Sequence, residues 1–323
     1  ESGGQNQMID KYYNRTDVLI EIATLYYIEG KTQQRIAEVF STTRSNVAKL
    51  LKQALDLGIV EIKIANPATS MVHLASNLIE KFSLKKAIVV PSEMNYQETL
   101  VSVGKAAAGF LAKCLNTKIT IGISWGTTIY QMVDQFPEST LTSAAVVQLH
   151  GGVGSRNVVV DGYEVSSALS RKLHCDAYYI QAPLIVHSKE AKEILVKDKN
   201  IARGLEMSKD VDIAFLGIGT TDPELNALLR AGFIDQQEAQ SLRAQGAVGM
   251  VCGQFYDLEG NLLDAEVNER VIGIPAKDLG SIDTVVGLAC GIKKAEAIYG
   301  ALKGNYLNAI ITDESVAKRL LEM

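Results

Sequence analysis

Apolar residues Leu19, Ile22, Ala23 and Tyr26 recur at the i, i+3, i+4, i+7 spacing of an amphipathic helix, and Gly30 closes it. A second, short helix is predicted from near Thr32, with Ile36, Ala37 and Phe40 facing inward. After the turn Ser41-Thr42-Thr43 the pattern predicts a third helix, with Val47, Leu50, Leu51 and Ala54 as its buried stripe and Gly58 as its stop. The segment Ile59-Val60-Glu61-Ile62-Lys63-Ile64 alternates apolar and polar positions, which predicts a strand flanking the helices as a wing. Asn66-Pro67-Ala68-Thr69-Ser70 reads as a breaker cluster, followed by a helix over 71–82 that carries Leu74, Leu78 and Phe82 on one side.

Beyond this point the pattern changes. Short apolar runs at 87–90, 119–123, 145–149, 177–180, 213–217, 285–289 and 309–312 alternate with helical stretches, which predicts a largely parallel sheet wrapped by helices. The fold class is therefore α/β, with a helix-turn-helix domain over residues 1–66 and a larger Rossmann-like α/β domain over 67–323.

Composition narrows the function classes. A chain of 323 residues with 47% hydrophobic and 21% charged positions is long enough for two domains and is expected to fold throughout. No apolar run approaches the roughly 18 residues of a membrane span, and the opening Glu1 to Asp10 has no apolar signal core, so a cytoplasmic location is expected. Cys114, Cys175, Cys252 and Cys290 form no C-x-x-C, and His73, His150, His174 and His187 never fall at i, i+4. Neither disulfides, a metal site nor a cofactor is expected. Net charge is −5 overall, yet the window 31–64 carries +3 and leaves −8 for the rest. That is the pattern of a small basic module on an acidic body.

The third helix gives the basic module its chemistry. Ser45, Lys49 and Lys52 lie opposite its buried stripe, and its first turn offers Thr43, Arg44, Ser45 and Asn46, groups suited to phosphates and base edges. Gln33 and Gln34, at the start of the second helix, are placed to meet a nucleic-acid backbone. Such a helix-turn-helix would set its third helix in a major groove of double-stranded DNA; a three-helix protein-contact module is the alternative.

In the larger domain, ligands are expected beyond the carboxyl ends of the strands. Ile119-Thr120-Ile121-Gly122-Ile123-Ser124-Trp125-Gly126-Thr127-Thr128 is a strand running into glycines and hydroxyls before a helix, an arrangement that cradles a phosphate. Two more glycine loops, His150-Gly151-Gly152-Val153-Gly154 and Gly217-Ile218-Gly219-Thr220, follow other strands. No G-x-x-x-x-G-K-[ST] occurs and no third glycine completes a dinucleotide register, so a smaller phosphorylated ligand is favoured over ATP or NAD.

Thr32-Gln33-Gln34-Arg35-Ile36-Ala37-Glu38, Thr43-Arg44-Ser45-Asn46-Val47-Ala48-Lys49-Leu50-Leu51-Lys52 and Gly58-Ile59-Val60-Glu61-Ile62 together resemble the N-terminal domain of the SorC family of sugar-responsive bacterial transcription regulators. Ser41 stands where that family usually has glycine. Nearly all of 71–323 resembles the effector domain of the same family, through Gly122-Ile123-Ser124-Trp125-Gly126-Thr127, Gly151-Gly152-Val153-Gly154, Ala182-Pro183-Leu184, Gly217-Ile218-Gly219, Gly246-Ala247-Val248-Gly249, Phe255-Tyr256-Asp257, Lys294-Ala295-Glu296-Ala297-Ile298 and Ile311-Thr312-Asp313-Glu314. That domain is similar in fold to sugar-phosphate isomerases and glucosamine-phosphate deaminases.

The resemblance implies a phosphate loop at Ser124, Gly126, Thr127 and Thr128, a basic residue near the sugar at Lys294, and further contacts from His150, Gly151, Gly219 and Arg230. Met250 and Gln254 depart from the family, which usually has an acid and an arginine there. Either the effector lacks the hydroxyls that the acid would receive, or Asp257 or Glu269 compensates, or affinity is reduced. The function implied is a DNA-binding regulator, a repressor of a carbohydrate-catabolic operon, controlled by a phosphorylated sugar or polyol and acting on its operator as a homodimer or homotetramer. Two other readings stay open. One is a sugar-phosphate isomerase or deaminase with an appended helical module, although Met250 removes the obvious acid/base; the other is an interaction adaptor.

Overall fold

A computed structural model describes residues 15–61, 67–115, 118–139, 143–154 and 161–323. The chain divides between Asn66 and Pro67 into two compact units.

In the first unit, helix α1 (Arg15–Ala23) runs on into a π-helical turn, Thr24–Ile28, and is followed by α2 (Gln33–Val39) and α3 (Arg44–Asp56). Leu19, Ile22, Ile36, Ala37, Val47, Leu51 and Ala54 form the shared core, with Tyr26, Phe40 and Leu50 half-buried against it. Two threonines start the helices: the hydroxyl of Thr32 accepts the Arg35 N–H and that of Thr43 accepts the Asn46 N–H, each at 3.2 Å. Ser41 takes φ +48°, the left-handed conformation that glycine adopts without cost and that turns the chain between α2 and α3. The predicted wing is corrected in part: residues 59–61 are not in a strand, and residues 62–64 lie outside the described residues.

The second unit opens with α4 (Pro67–Phe82), which starts within the predicted breaker. Proline is tolerated in the first turn of a helix, where its missing N–H has no intrahelical partner in any case. The elements that follow are β1 (Lys86–Val90), α5 (Tyr96–Cys114), β2 (Ile119–Ile123), α6 (Thr127–Gln135), β3 (Ala144–Gln148), α7 (Gly162–Leu173), β4 (Asp176–Tyr178), α8 (Lys189–Leu195), α9 (Lys199–Lys209), β5 (Ile213–Gly217) and β6 (Gly219–Thr220). Then come α10 (Ala227–Ala231), α11 (Gln236–Ala244), β7 (Gly249–Val251), β8 (Gln254–Tyr256), α12 (Glu266–Glu269), β9 (Thr284–Leu288), α13 (Ala295–Lys303), β10 (Ala309–Asp313) and α14 (Glu314–Glu322).

Seven strands pair in parallel in the order β1-β10-β9-β5-β2-β3-β4, and β6, β7 and β8 form a small antiparallel sheet. Each of the seven apolar runs became one of the parallel strands, because strands covered on both faces need apolar side chains on both. One face packs on α4, α13 and α14 through Leu78, Ile298 and Val316; the other packs on α5, α6 and α7 through Leu111, Met132 and Leu169. A further core, with Leu228, Leu242, Met250 and Phe255, joins α10 and α11 to the small sheet.

The strand order fixes where a ligand can enter. From β2 the chain proceeds through β3 to β4 at one edge, whereas from β5 it proceeds through β9 to β10 toward the other. Connections on the two sides diverge and leave a crevice beyond the carboxyl ends of β2 and β5.

Candidate functional site

The loop after β2 runs Ser124-Trp125-Gly126 into α6. Gly126 sits at φ +124°, where a side chain is strained, and no side chain caps the helix, so its first N–H groups are left for a ligand. The loop after β5 lies alongside. Ser124 donates its N–H to the Phe215 carbonyl at 3.0 Å, and its hydroxyl accepts the Gly217 N–H at 2.8 Å. A Cβ on Gly217 would sit 2.6 Å from the Trp125 carbonyl oxygen, so only glycine lets the two loops close together.

Between them is a cavity of about 290 Å³, at the small end of ligand pockets and suited to a small metabolite. Its lining includes Gly126, Thr127, Thr128, Gly219, Arg230 and Lys294, six of the nine residues expected from sequence, together with Tyr96, Trp125, Leu225, Met250 and Cys252.

Lys294 reaches the cavity from the loop between β9 and α13. Its ammonium donates to the Ile218 carbonyl at 3.1 Å and has no ion pair among the described residues. Burial pushes its pKa below the usual lysine value, as expected of a cation without a counter-charge. Arg230, on α10, is exposed at the cavity wall and likewise unpaired among the described residues. Among the described residues no carboxylate lines the cavity, and two cations and a helix N-terminus face one small space. Tyr96, at the start of α5, brings its hydroxyl to Thr127 and the Cys290 thiol, and burial followed by the neighbouring Cys290 pushes its pKa up to about 12.

The loop that carries Lys294 is pinned from behind. Asp313, buried at the end of β10, accepts the Gly291 N–H at 2.7 Å and the Ser92 hydroxyl at 2.8 Å. Asp313→Ala leaves the Gly291 N–H without this partner and is expected to lower stability by about 1–3 kcal/mol, read as a lower denaturation midpoint in urea.

Three expected site residues lie elsewhere. Ser124 sits behind the cavity, with its hydroxyl committed to Gly217. His150 is fully buried, its Nδ1 2.8 Å from the Gly151 carbonyl, and burial lowers its pKa. Gly151 donates to the Ile272 carbonyl at 2.9 Å, and a Cβ there would meet the Ala182 carbonyl oxygen at 2.4 Å. That loop is stitched to distant segments rather than opened to a ligand. The departures are also resolved: Met250 lines the cavity, whereas Gln254 bonds the Ile274 carbonyl and the Ala276 N–H. Neither proposed substitute acid reaches the cavity, since Asp257 holds Asn261 and Glu269 holds Lys189.

On the first unit, Arg44, Ser45, Asn46, Lys49 and Lys52 are exposed along α3, with Thr43 at its start; Gln34 is exposed and Gln33 half-buried on α2. Asn46 donates to the Thr42 hydroxyl at 2.9 Å, while Arg44, Lys49 and Lys52 have no ion pair among the described residues.

This combination of a short basic helical unit and an α/β unit with an anion-seeking cavity belongs to ligand-controlled gene regulators. Residues 66–322 match the family model "Putative sugar-binding domain". The chain is 32% identical over 303 residues to the deoxyribonucleoside regulator of Bacillus subtilis (strain 168), covering 94% of this chain and 96% of that protein. It is 27% identical over 310 residues to the sorbitol operon regulator of Klebsiella pneumoniae, covering 94% and 98%. The crystal structure of full-length SorC from Klebsiella pneumoniae matches with a TM-score of 0.75 at 26% identity, covering 96% of this chain and 99% of that one. The chain belongs to the SorC family of sugar-responsive transcriptional regulators.

Proposed function

We propose that the chain represses a carbohydrate-catabolic operon, reads its operator in double-stranded DNA through α3, and is controlled by a phosphorylated sugar or polyol held in the cavity. The observation that carries the effector reading is the pairing of Lys294 and Arg230 with an uncapped α6 N-terminus and no lining carboxylate among the described residues. Thr127 and Thr128, at that N-terminus, hold the phosphate, and Lys294 neutralises it as a point charge. Relatives named as regulators of sorbitol, erythritol and deoxyribonucleoside metabolism support the carbohydrate class.

A homodimer or homotetramer reads paired half-sites, in the cytoplasm where the DNA is. The effector shifts DNA affinity only by binding the DNA-competent and DNA-incompetent states unequally. The naming of its relatives as regulators supports a ligand that is bound and released unchanged. Anisotropy with operator duplexes selected by the chain from random sequence tests this reading. The expected result is salt-dependent binding that a panel of sugar phosphates weakens without being consumed. Turnover of the ligand, or binding that no sugar phosphate alters, overturns it.

A further inference from the structure

Asn46 is held at two points where α3 begins. Its backbone N–H donates to the Thr43 hydroxyl at 3.2 Å, and its side-chain Nδ2 donates to the Thr42 hydroxyl at 2.9 Å. Thr42 is half-buried in the turn between α2 and α3, and its own N–H donates to the Ala37 carbonyl at 2.9 Å. The group that grips the amide is thus itself fixed to the preceding helix. Asn46 nevertheless stays exposed. An asparagine amide has two N–H donors and a carbonyl acceptor; Thr42 takes one donor, and among the described residues nothing takes the other donor or Oδ1.

We propose that Asn46 reads an adenine of the operator through its N6 and N7 atoms, and that Thr42 is a positioning residue that holds the amide in the reading orientation. The inference rests on α3 as the DNA-reading helix and narrows it to one side chain and one base. In the major groove adenine presents a donor, the N6 amine, beside an acceptor, N7, and the free acceptor and donor of an asparagine amide match them as a pair. The exposed neighbours in the first turn of α3 carry other patterns. Arg44 has donors only, which suits the two acceptors of guanine, and the Ser45 hydroxyl serves either kind of atom. An exposed side chain gives up rotamer freedom when it binds, and the bond to Thr42 removes part of that freedom beforehand.

Selection of operator duplexes from random sequence by the full chain, repeated with Asn46→Ala, tests the proposal. Wild-type protein is expected to require an A·T pair at an operator position where Asn46→Ala accepts any base, while affinity for random duplex stays unchanged. Exchanging that pair should weaken wild-type binding about five- to hundredfold and leave the variant indifferent. Two analogues of that adenine, 7-deazaadenine without N7 and purine without the N6 amine, should each weaken binding by wild-type protein and by Asn46→Ala not at all. Thr42→Val should lose about two- to tenfold on the operator alone, and Thr42→Ser should restore it. A relaxed position that is not adenine, or an adenine preference that survives Asn46→Ala, overturns the base assignment. Wild-type preference in Thr42→Val overturns the positioning role. An operator that depends on Arg44 or Lys49 and not on Asn46 overturns this inference alone, whereas no sequence-selective binding by wild-type protein removes the operator reading and this inference with it.

Discussion

Lys294→Ala is expected to make the chain blind to its effector while operator binding persists. The ammonium is held near the Ile218 carbonyl in a cavity that no carboxylate of the described residues lines, so a bound phosphate would supply it with a counter-charge. Losing one charge-assisted hydrogen bond costs about 1.5–3 kcal/mol, or roughly one to two decades of effector affinity. Thr127→Val, which removes a hydroxyl at the α6 N-terminus, should act in the same direction and less strongly.

The depressed Lys294 pKa adds a pH signature with a definite sign. Without ligand, burial favours the neutral amine; a bound anion favours the ammonium and raises the pKa again. Effector affinity is then full below the lowered free-state pKa and falls as pH rises through the window between that value and the higher pKa of the complex. Lys294→Met keeps the length of the side chain, removes the charge, and should flatten this profile. Calorimetry with a phosphorylated sugar across that pH range checks both points. An unchanged affinity and an unchanged profile in the variants would remove Lys294 from the site.

Much of the larger unit was legible because its strands are buried on both faces and read as apolar runs with sharp ends, as at 119–123 and 213–217. The strands β6, β7 and β8, of two or three residues each, are too short to show a period, and they escaped. The loop after β2 was legible for a local reason: glycines and hydroxyls between a strand and a helix announce free N–H groups in the sequence itself. Tyr96, Leu225 and Cys252 were not, since they come to line one cavity with Thr127 and Lys294 only through the strand order, which no local pattern displays. His150 misled for the converse reason. A histidine beside glycines after a strand looks like a ligand-loop residue, yet the bonds that draw its loop inward come from Ile272 and Ala182, more than thirty residues away.

Removing Lys49 or Arg44 is expected to weaken operator binding and leave effector binding intact. Val47, Leu51 and Ala54 are buried in the three-helix core, so the helical period turns Ser45, Lys49 and Lys52 outward, and Arg44 begins the helix beside the Thr43 cap. Because neither Lys49 nor Arg44 holds an ion pair among the described residues, substitution should cost little folding stability. The two variants need not behave alike. If Lys49 meets a phosphate, Lys49→Ala weakens binding to all sequences and reduces the slope of log affinity against log salt by about one. If Arg44 reads a base edge, Arg44→Ala costs about 1–3 kcal/mol on the selected operator, little on random duplex, and relaxes the preferred sequence at one position. Anisotropy titrations at several salt concentrations, on operator and scrambled duplexes, separate a phosphate contact from a base contact for each residue. Wild-type affinity and salt slope in both variants would rule out α3 as the reading helix and leave the exposed face of this unit to a protein partner instead.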